Sequence, residues 1–276
     1  MSIIPTEPTS VPAVQKVDDS IWRSPLFWDA ASWDYLEHRP GYPKAFFTLL
    51  QDLGIGLAGQ DILDLGTGTG ALAVPFARQG ARVTATDLSE GQIKAARESA
   101  RQNHVSVAFK VAPSEATGLP EHSFDVVSSA MSWGYFDISR MVVEVPRLLR
   151  RPGKLLISSL VWIRNQDPVA KQSEALILKY NPSAISSFNR TEAEVVPAWS
   201  KGHFRLKSYH QSTELLPFTR ESWAGRIRAS RFILAALPPA QAQAFDREHQ
   251  ALLEDTAPTR FEIAHNIRLQ IFEPLT

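Results

Sequence analysis

The sequence predicts an α/β protein built on a doubly wound parallel sheet. Short apolar segments alternate with helical ones between residues 61 and 161, which is typical of strands joined by helical crossovers. The first strand ends at three glycines in alternate positions, Gly66, Gly68 and Gly70, and the second ends at Asp87. Right-handed crossovers bring the carboxyl ends of such strands to one edge of the sheet, where α/β proteins bind their ligands.

The core elements follow from apolar patterning and from turn residues. We predict strands and intervening helices over these ranges: strands 61–65, 82–86, 106–111, 124–129 and 153–161, and helices 71–79, 89–103 and 139–149. Gly80 ends the first helix, and Pro75 falls near its first turn, where a missing N–H costs least. Residues 203–216 and 260–272 are candidates for two final strands.

The chain divides around this core. Residues 1–17 are expected to be a disordered tail, because they contain three prolines and lack the basic and apolar pattern of a signal peptide. The other expected units are a helical cover (18–58), the core (59–163), two helical lid insertions (164–202 and 219–258) and the final strands (203–218 and 259–276). Both insertions are punctuated by prolines, and we expect them to form a substrate cover.

The glycine segment indicates a nucleotide-binding unit, since a strand, a glycine turn and a helix follow one another over residues 61–79. Gly66, Gly68 and Ala71 also satisfy the dinucleotide fingerprint. Asp64 argues for a different ligand, because a carboxylate there repels a pyrophosphate and attracts an ammonium group. S-adenosylmethionine has that ammonium group and no phosphate. The alternative role for Asp64 is to accept hydrogen bonds from the glycine turn.

Asp87 follows the second strand at the spacing of a carboxylate that binds ribose hydroxyls, about 20 residues after the first glycine. This residue fits both NAD and S-adenosylmethionine, because both ligands carry free ribose hydroxyls. Leu88 and Gln92 lie at the start of the next helix. They either flank an adenine or pack within the helix.

Four segments in order resemble the class I S-adenosylmethionine-dependent methyltransferases, in the small-molecule branch that includes trans-aconitate methyltransferase. The resemblance covers about residues 28–162. It is carried by the glycine turn with Asp87 and by the following segments: Tyr35 with Arg39-Pro40-Gly41-Tyr42-Pro43, Pro113-Ser114-Glu115 with Leu119-Pro120 and Ser123-Phe124-Asp125-Val126-Val127, and Arg151-Pro152-Gly153-Lys154. Residues 130–137 resemble a further segment of the branch, but Gly134 stands where the branch has a histidine.

The resemblance implies a Rossmann-like sheet of seven strands in the order 3-2-1-4-5-7-6, with the last strand antiparallel. It also implies S-adenosylmethionine as the cofactor, with Tyr35 and Arg39 at its methionine carboxylate. The cofactor contacts expected on this basis are Tyr35, Arg39, Asp64, Gly66, Thr67, Gly68, Gly70, Asp87, Leu88, Gln92, Ser114, Glu115 and Ala130. A mechanism that uses the histidine of the branch is not supported, because Gly134 replaces it.

Four residues are candidates for positioning the methyl acceptor. Arg228 and Arg231 lie three apart in a predicted helix, so that a shared face could clamp a carboxylate in bidentate fashion. The alternative is a solvated, arginine-rich helix face with ordinary ion pairs. Trp133 and Tyr135 lie near a strand end and are either core or acceptor-facing residues.

Composition narrows the function class. Lysine plus arginine and aspartate plus glutamate each number 29, so no attraction to nucleic acid or to anionic membranes is expected. The chain has no cysteine, and His203 and His210 lack a third ligand, so no metal is expected. No apolar run is long enough to span a membrane, and we expect a cytoplasmic protein.

The sequence therefore predicts a methyltransferase of a small organic acceptor, with methylation of a carboxylate or hydroxyl oxygen as the leading subclass. An N- or C-methyltransferase of a secondary-metabolite intermediate is the alternative within the class. The alternatives of other classes are an NAD(P)-dependent oxidoreductase and a non-catalytic protein that binds S-adenosylmethionine.

Overall fold

A computed structural model describes Asp29 and residues 32–164, 166–185, 194–234 and 236–275 of the 276-residue chain, with the Tyr35 side chain excepted. The predicted tail over residues 1–17 and the first part of the predicted cover lie outside the described residues. The division of the chain into a core, a cover and insertions stays a prediction.

A seven-stranded sheet forms the centre of the molecule. Its strands are β1 (Asp61–Leu65), β2 (Arg82–Asp87), β3 (Ala108–Val111), β4 (Phe124–Ala130), β5 (Leu149–Trp162), β6 (Phe204–Thr219) and β7 (Arg260–Pro274). They lie in the order β3-β2-β1-β4-β5-β7-β6, and β7 is antiparallel to both of its neighbours. The predicted fold class, strand order and antiparallel last strand are confirmed.

Helices connect the strands and cover the sheet. Those in the described part of the chain are α1 (Ser32–His38), α2 (Lys44–Asp52), α3 (Ala73–Arg78), α4 (Glu90–Gln102), α5 (Ile138–Leu148), α6 (Pro168–Tyr180), α7 (Arg220–Arg228) and α8 (Pro239–Thr256). The predicted helix over 71–79 is shorter than expected, because residues 70–72 form a turn before α3 begins. Within this part of the chain, no helix is both long and apolar enough to cross a membrane.

The apolar residues of β1 explain its central place. Ile62 and Leu63 are both fully buried, but they belong to different apolar clusters. Side chains alternate between the two faces of a strand, so the two clusters lie on opposite faces of the sheet. A strand that is apolar on both faces is stable only between two covered layers, which is what the helices provide.

Capping residues set the starts of the helices that follow the binding edge. The Ser89 side chain accepts a hydrogen bond from the Gln92 N–H at the start of α4, and Asp137 does the same for Ser139 at the start of α5. Both caps follow carboxyl ends of strands. They therefore fix where each chain segment turns away from the sheet edge.

The last strands are longer than the sequence predicts. β5 begins at Leu149, directly after α5, and β6 continues to Thr219. The antiparallel pairing of β6 with β7 runs out to Thr219 opposite Arg260, and it extends both strands beyond their apolar segments. The helix α7 starts at the next residue, and Thr219 caps it in a reciprocal pair with Ser222.

Candidate functional site

A cavity of about 340 Å³ opens at the carboxyl ends of the parallel strands. This volume lies within the range of small-molecule sites, about 300–1,000 Å³. Its wall is contributed by the segment before α2 and by the loops after β1 to β4, together with Leu160 of β5: Arg39, Pro40, Tyr42, Gly66, Thr67, Gly68, Thr69, Ala71, Asp87, Leu88, Gln92, Pro113, Ser114, Glu115, Ala130, Met131, Ser132, Tyr135, Phe136, Asp137, Arg140 and Leu160.

The turn after β1 requires glycine for two reasons. Gly66 has φ +61, a left-handed conformation that side chains disfavour, and a Cβ there would lie 2.6 Å from the Cβ of Ser132. Ser132 is itself held by its hydroxyl, which donates to the carbonyl of Leu65 at 3.0 Å. Gly68 has φ +57 and borders the cavity, with only the Gln92 Oε1 atom at 3.6 Å from a Cβ. The turn therefore brings bare backbone to the cavity wall.

Protein acceptors already satisfy three amides of this turn. The N–H of Thr67 donates to the carbonyl of Thr86 at 2.9 Å, and the N–H of Gly68 donates to Asp87 Oδ2 at 2.8 Å. The N–H of Gly70 donates to the carbonyl of Thr67 at 3.0 Å. Dinucleotide sites direct such amides at a pyrophosphate. Because these three amides are engaged, the turn is suited to a nucleoside without a phosphate.

Asp87 lies at the end of β2 and borders the cavity. Its carboxylate accepts from the N–H of Gly68 at 2.8 Å and from the N–H of Ser89 at 2.9 Å. Burial raises the pKa of this carboxyl. A carboxylate has about four acceptor positions, so acceptor capacity remains for a ligand hydroxyl. Leu88 and Gln92 line the cavity beside it, and contact between them and an adenine stays a prediction.

Three more predicted contacts line the opposite part of the wall: Ser114, Glu115 and Ala130. Glu115 also ties two loops together, because its Oε1 atom accepts from the N–H of Asp137 at 2.8 Å. Arg39 and Thr67 also line the cavity. The Tyr35 side chain lies outside the described residues.

The structure corrects the expectation for Asp64. This residue does not line the cavity; it is 1% exposed and accepts from the Thr67 and Ser128 hydroxyls, both at 2.7 Å. Burial raises its pKa to about 6. Asp64 thus occupies the alternative role considered above, as an acceptor that holds the glycine turn, because the turn folds its threonine hydroxyl back onto the carboxylate.

Gly70 and Trp133 also lie away from the cavity wall. Gly70 has φ +88, and its carbonyl accepts from the N–H of Val74 at the start of α3. The Trp133 ring packs against Phe136 and Trp199, with centroids 6.0 and 5.1 Å away. Both residues therefore support the wall from behind. Tyr135, by contrast, does line the cavity.

The predicted arginine clamp is wrong. The helix α7 ends at Arg228, so Arg228 and Arg231 do not share a helix face. The Arg228 guanidinium is held by Asp34 of α1, at 2.7 and 2.9 Å, and by Asp246 of α8, at 2.9 Å. These carboxylates raise the pKa of Arg228. Arg231 lies outside the lining and donates to the Tyr135 hydroxyl at 3.3 Å.

Several lining residues were not singled out from the sequence, notably Tyr42, Ser132 and Phe136. Tyr42 belongs to the segment that carried the family resemblance, and the other two follow β4, so their positions were the available signal. The Tyr42 phenol accepts from the Ser158 hydroxyl at 3.0 Å, and burial raises its pKa to about 12. It therefore stays protonated and presents an O–H donor.

Titratable groups on the described cavity wall are carboxylates, tyrosines and arginines. Asp87, Glu115 and Asp137 supply the carboxylates, and no histidine appears among the described lining residues. No group of three or more metal-binding side chains occurs within the described ranges.

A family model described as a methyltransferase domain matches residues 63–157 of this chain. The matched segment runs from β1 into β5 and contains the glycine turn and Asp87. The chain resembles the ribosomal protein L11 methyltransferase of Desulforamulus reducens, with 32% identity over 115 residues, 41% of this chain and 37% of that protein. It also resembles the ubiquinone biosynthesis O-methyltransferase of Xanthomonas oryzae pv. oryzae, with 35% identity over 118 residues, 42% of this chain and 48% of that protein.

The matches therefore span less than half the length of these two curated relatives. A solved structure from Anaeromyxobacter dehalogenans, named as a type II methyltransferase, matches 85% of this chain and 96% of its own, with 23% identity and a TM-score of 0.52. That likeness concerns the fold. Together the matches support a class I methyltransferase domain, and the narrower small-molecule branch stays a prediction.

Proposed function

We propose that this protein transfers the methyl group of S-adenosylmethionine to an oxygen atom of a small organic acceptor. The observation that carries the proposal is the combination of a glycine turn, three of whose amides face protein acceptors, with a half-buried carboxylate, Asp87, that keeps acceptor capacity at the cavity. This wall fits a nucleoside with ribose hydroxyls and no phosphate. The methyltransferase-domain match over residues 63–157 supports the same ligand.

S-adenosylmethionine supplies, when bound, an electrophilic methyl group on a sulfonium sulfur. The residues of the wall bind and orient it: Asp87 accepts from the ribose hydroxyls, and Leu88 and Gln92 flank the adenine. Arg39 places a half-buried cation at the cavity, where it attracts the methionine carboxylate. Such a site acts mainly by enclosing and positioning the reactants, and positioning lowers the activation barrier by about 7–11 kcal/mol in favourable cases.

The acceptor oxygen decides whether the protein must remove a proton. A carboxylate oxygen forms its bond to the methyl carbon while the carbon–sulfur bond breaks and the electron pair stays on sulfur, so no base is needed. A hydroxyl oxygen must also lose its proton, and the described wall offers Glu115 and Asp137 for this but no histidine. A carboxylate acceptor therefore needs less from the described wall than a hydroxyl acceptor does.

We expect Asp87→Ala to weaken the binding of S-adenosylmethionine and S-adenosylhomocysteine by about 1–3 kcal/mol, because the ribose hydroxyls lose a half-buried charged acceptor. Isothermal titration calorimetry of the full chain measures this directly. Glu98→Gln is the matched control, since Glu98 lies on the neighbouring helix α4, bonds to Arg101 and does not line the cavity. Equal affinities for Asp87→Ala and the unaltered chain would contradict the assignment of Asp87.

Two other functions make different predictions. If the protein is an NAD(P)-dependent oxidoreductase, the fluorescence of NADH changes when the protein is added, whereas S-adenosylmethionine has no effect on the protein. A non-catalytic donor-binding protein binds S-adenosylmethionine but transfers no radiolabel to any acid, phenol or amine. Absence of binding by either S-adenosylmethionine or S-adenosylhomocysteine at millimolar concentration removes the proposed function.

A further inference from the structure

A buried arginine on α7 has no ionic partner in the described part of the chain. Arg226 is 6% exposed, and among the described residues it forms neither a hydrogen bond nor an ion pair. Its guanidinium carbon lies 4.9 Å from the ring centroid of Trp162. Burial lowers the pKa of Arg226 to about 10, which reflects the cost of a cation removed from water. Cations buried in this way normally have an anionic partner.

The position of Trp162 relates this cation to the cavity. Leu160 lines the cavity, and Trp162 lies two residues further along β5 on the same face. Trp162, on which Arg226 stacks, therefore lies about 7 Å beyond Leu160 along the strand. The same face continues in the other direction to Ser158, which bonds to the cavity residue Tyr42.

A second cation, half-buried Arg39, lies close to the first, since Gly225 beside Arg226 packs against His38 beside Arg39. Arg39 lines the cavity, and burial, followed by repulsion from Arg226, lowers its pKa to about 9. His265 stands directly opposite Trp162 on β7 and is 1% exposed. Burial lowers the pKa of His265 to about 4, so it is neutral and supplies no negative charge.

The carboxylate next to this cluster is engaged elsewhere. Glu174 of α6 accepts from the Trp162 indole N–H at 2.8 Å and pairs with Arg164 at 3.0 Å. Under the proposed function, the methionine carboxylate of the donor pairs with Arg39, which lines the cavity. Arg226 is not itself a lining residue, but its planar guanidinium is buried close to Arg39, in an environment that strengthens bidentate pairing with a carboxylate.

We propose that Arg226 binds a carboxylate of the methyl acceptor beside Arg39, so that the acceptor is an organic acid. This inference rests on the proposed methyl transfer and deepens it. Trp162 fixes one face of the guanidinium, which leaves its N–H edges to the ligand. Neutral molecules of the same shape should bind far less well, because they leave the buried cation without a partner.

The test is radiolabel transfer to aliphatic and aromatic mono- and dicarboxylic acids, each paired with its primary amide. We expect the unaltered protein to label at least one acid and none of the amides. Arg226→Met should raise the KM for that acid by about 10- to 100-fold, as for a lost charge-assisted hydrogen bond, and leave S-adenosylhomocysteine affinity unchanged. Arg226→Lys should fall between the two, because it keeps the charge without the bidentate edge.

Arg228→Met is the control, because Arg228 lies two residues away on α7, pairs with Asp34 and Asp246, and lies outside the cavity. An unchanged acid KM in both Arg226 variants overturns the inference, as does equal use of acids and amides. An Arg226 variant that loses S-adenosylhomocysteine affinity and keeps its acid KM assigns the residue to the donor instead, which also overturns it. Donor binding without labelling of any acid overturns the inference alone, whereas loss of donor binding in the unaltered protein removes the proposed function.

If Arg226→Met does not fold, Arg226→Lys and a second measurement keep the test decisive. In the unaltered protein saturated with S-adenosylhomocysteine, a labelled acid should raise the melting temperature and its amide should not. Equal shifts for acid and amide contradict the proposed site.

Discussion

Gly66→Ala is expected to lower the free energy of unfolding by about 2–5 kcal/mol. A left-handed conformation costs a side chain about 1–2 kcal/mol, and an overpacked contact adds about 1–3 kcal/mol. The new Cβ would lie 2.6 Å from the Ser132 Cβ and 3.0 Å from the Phe136 ring. Neither neighbour can withdraw easily, because Ser132 is bonded to Leu65 and Phe136 packs on Trp133.

Substitutions at two other glycines distinguish the conformational cost from the cost of the overpacked contact. Gly202 has φ +80, nothing within 4 Å of a Cβ and no place in the cavity, so Gly202→Ala should cost only the conformational part, about 1–2 kcal/mol. Gly68→Ala should cost about the same in stability, because its Cβ is 3.6 Å from the nearest atom. Its Cβ enters the cavity wall, however, so Gly68→Ala should also weaken donor binding.

Urea unfolding of the three variants measures the stability changes, and calorimetry with S-adenosylhomocysteine measures the binding change. If Gly66→Ala and Gly202→Ala are equally stable, the close approach of Ser132 to the turn is wrong. If Gly68→Ala binds S-adenosylhomocysteine with unaltered affinity, the turn does not form the donor wall.

Acid should destabilise the fold through His249, which is fully buried between α6, α7 and α8. Its Nε2 atom lies 2.8 Å from the Ser173 hydroxyl, which donates to the Val169 carbonyl and accepts from the Trp223 indole N–H. Burial lowers the pKa of His249 from 6.5 to about 4. The unfolded chain therefore binds a proton near pH 6.5 and the folded chain only near pH 4.

The sign follows from proton linkage. Above pH 6.5 the histidine is neutral in both states, and its stabilising contribution is fully present. As the pH falls towards 4, the histidine binds a proton in the unfolded state but not in the folded state, and about 3 kcal/mol of stability is lost. Asp64 acts in the opposite direction, because burial raises its pKa from 3.8 to about 6 and its ionisation costs stability as the pH rises.

Because these groups oppose each other, the difference between variants is the useful quantity. At neutral pH, His249→Leu should lower the free energy of unfolding by about 1 kcal/mol, because the hydrogen bond to Ser173 is lost. Between pH 6.5 and 4, the stability of this variant should fall by about 3 kcal/mol less than that of the unaltered chain. His203→Gln is the control, since His203 is exposed. Parallel pH curves for His249→Leu and the unaltered chain would show that the buried imidazole does not carry the effect.

The sheet was largely predictable because the strands on which it depends are short, apolar and separated by strong turn signals. Ile62 and Leu63 indicate a strand that is buried on both faces, and Gly80 marks the end of the helix that follows. The extents of β6 and β7 were less predictable. Each strand is lengthened by its pairing with the other, and that pairing connects residues such as Thr219 and Arg260 that lie far apart in sequence.

The lining of the cavity was predictable where a residue's position directly after a strand decides whether it reaches the cavity, as for Asp87, Leu88 and Ser114. Sequence reasoning failed where the side chain forms an ion pair with a residue that is distant in the sequence. Arg228 is paired with Asp34, which is 194 residues away, and no local pattern reports this contact. Arg226 was not singled out for the opposite reason: it lacks an ionic partner among the described residues, and that too is visible only in the folded chain.

The hydrogen bonds that join Gly68 to Asp87 and Thr67 to Asp64 have a consequence for recognition. They hold this part of the cavity in a fixed geometry, so that little backbone entropy should be lost when a nucleoside enters. A preorganised pocket of this kind gains affinity without extra contacts. It should also discriminate sharply against adenosine derivatives whose ribose lacks a hydroxyl, since a rigid acceptor does not shift to follow them.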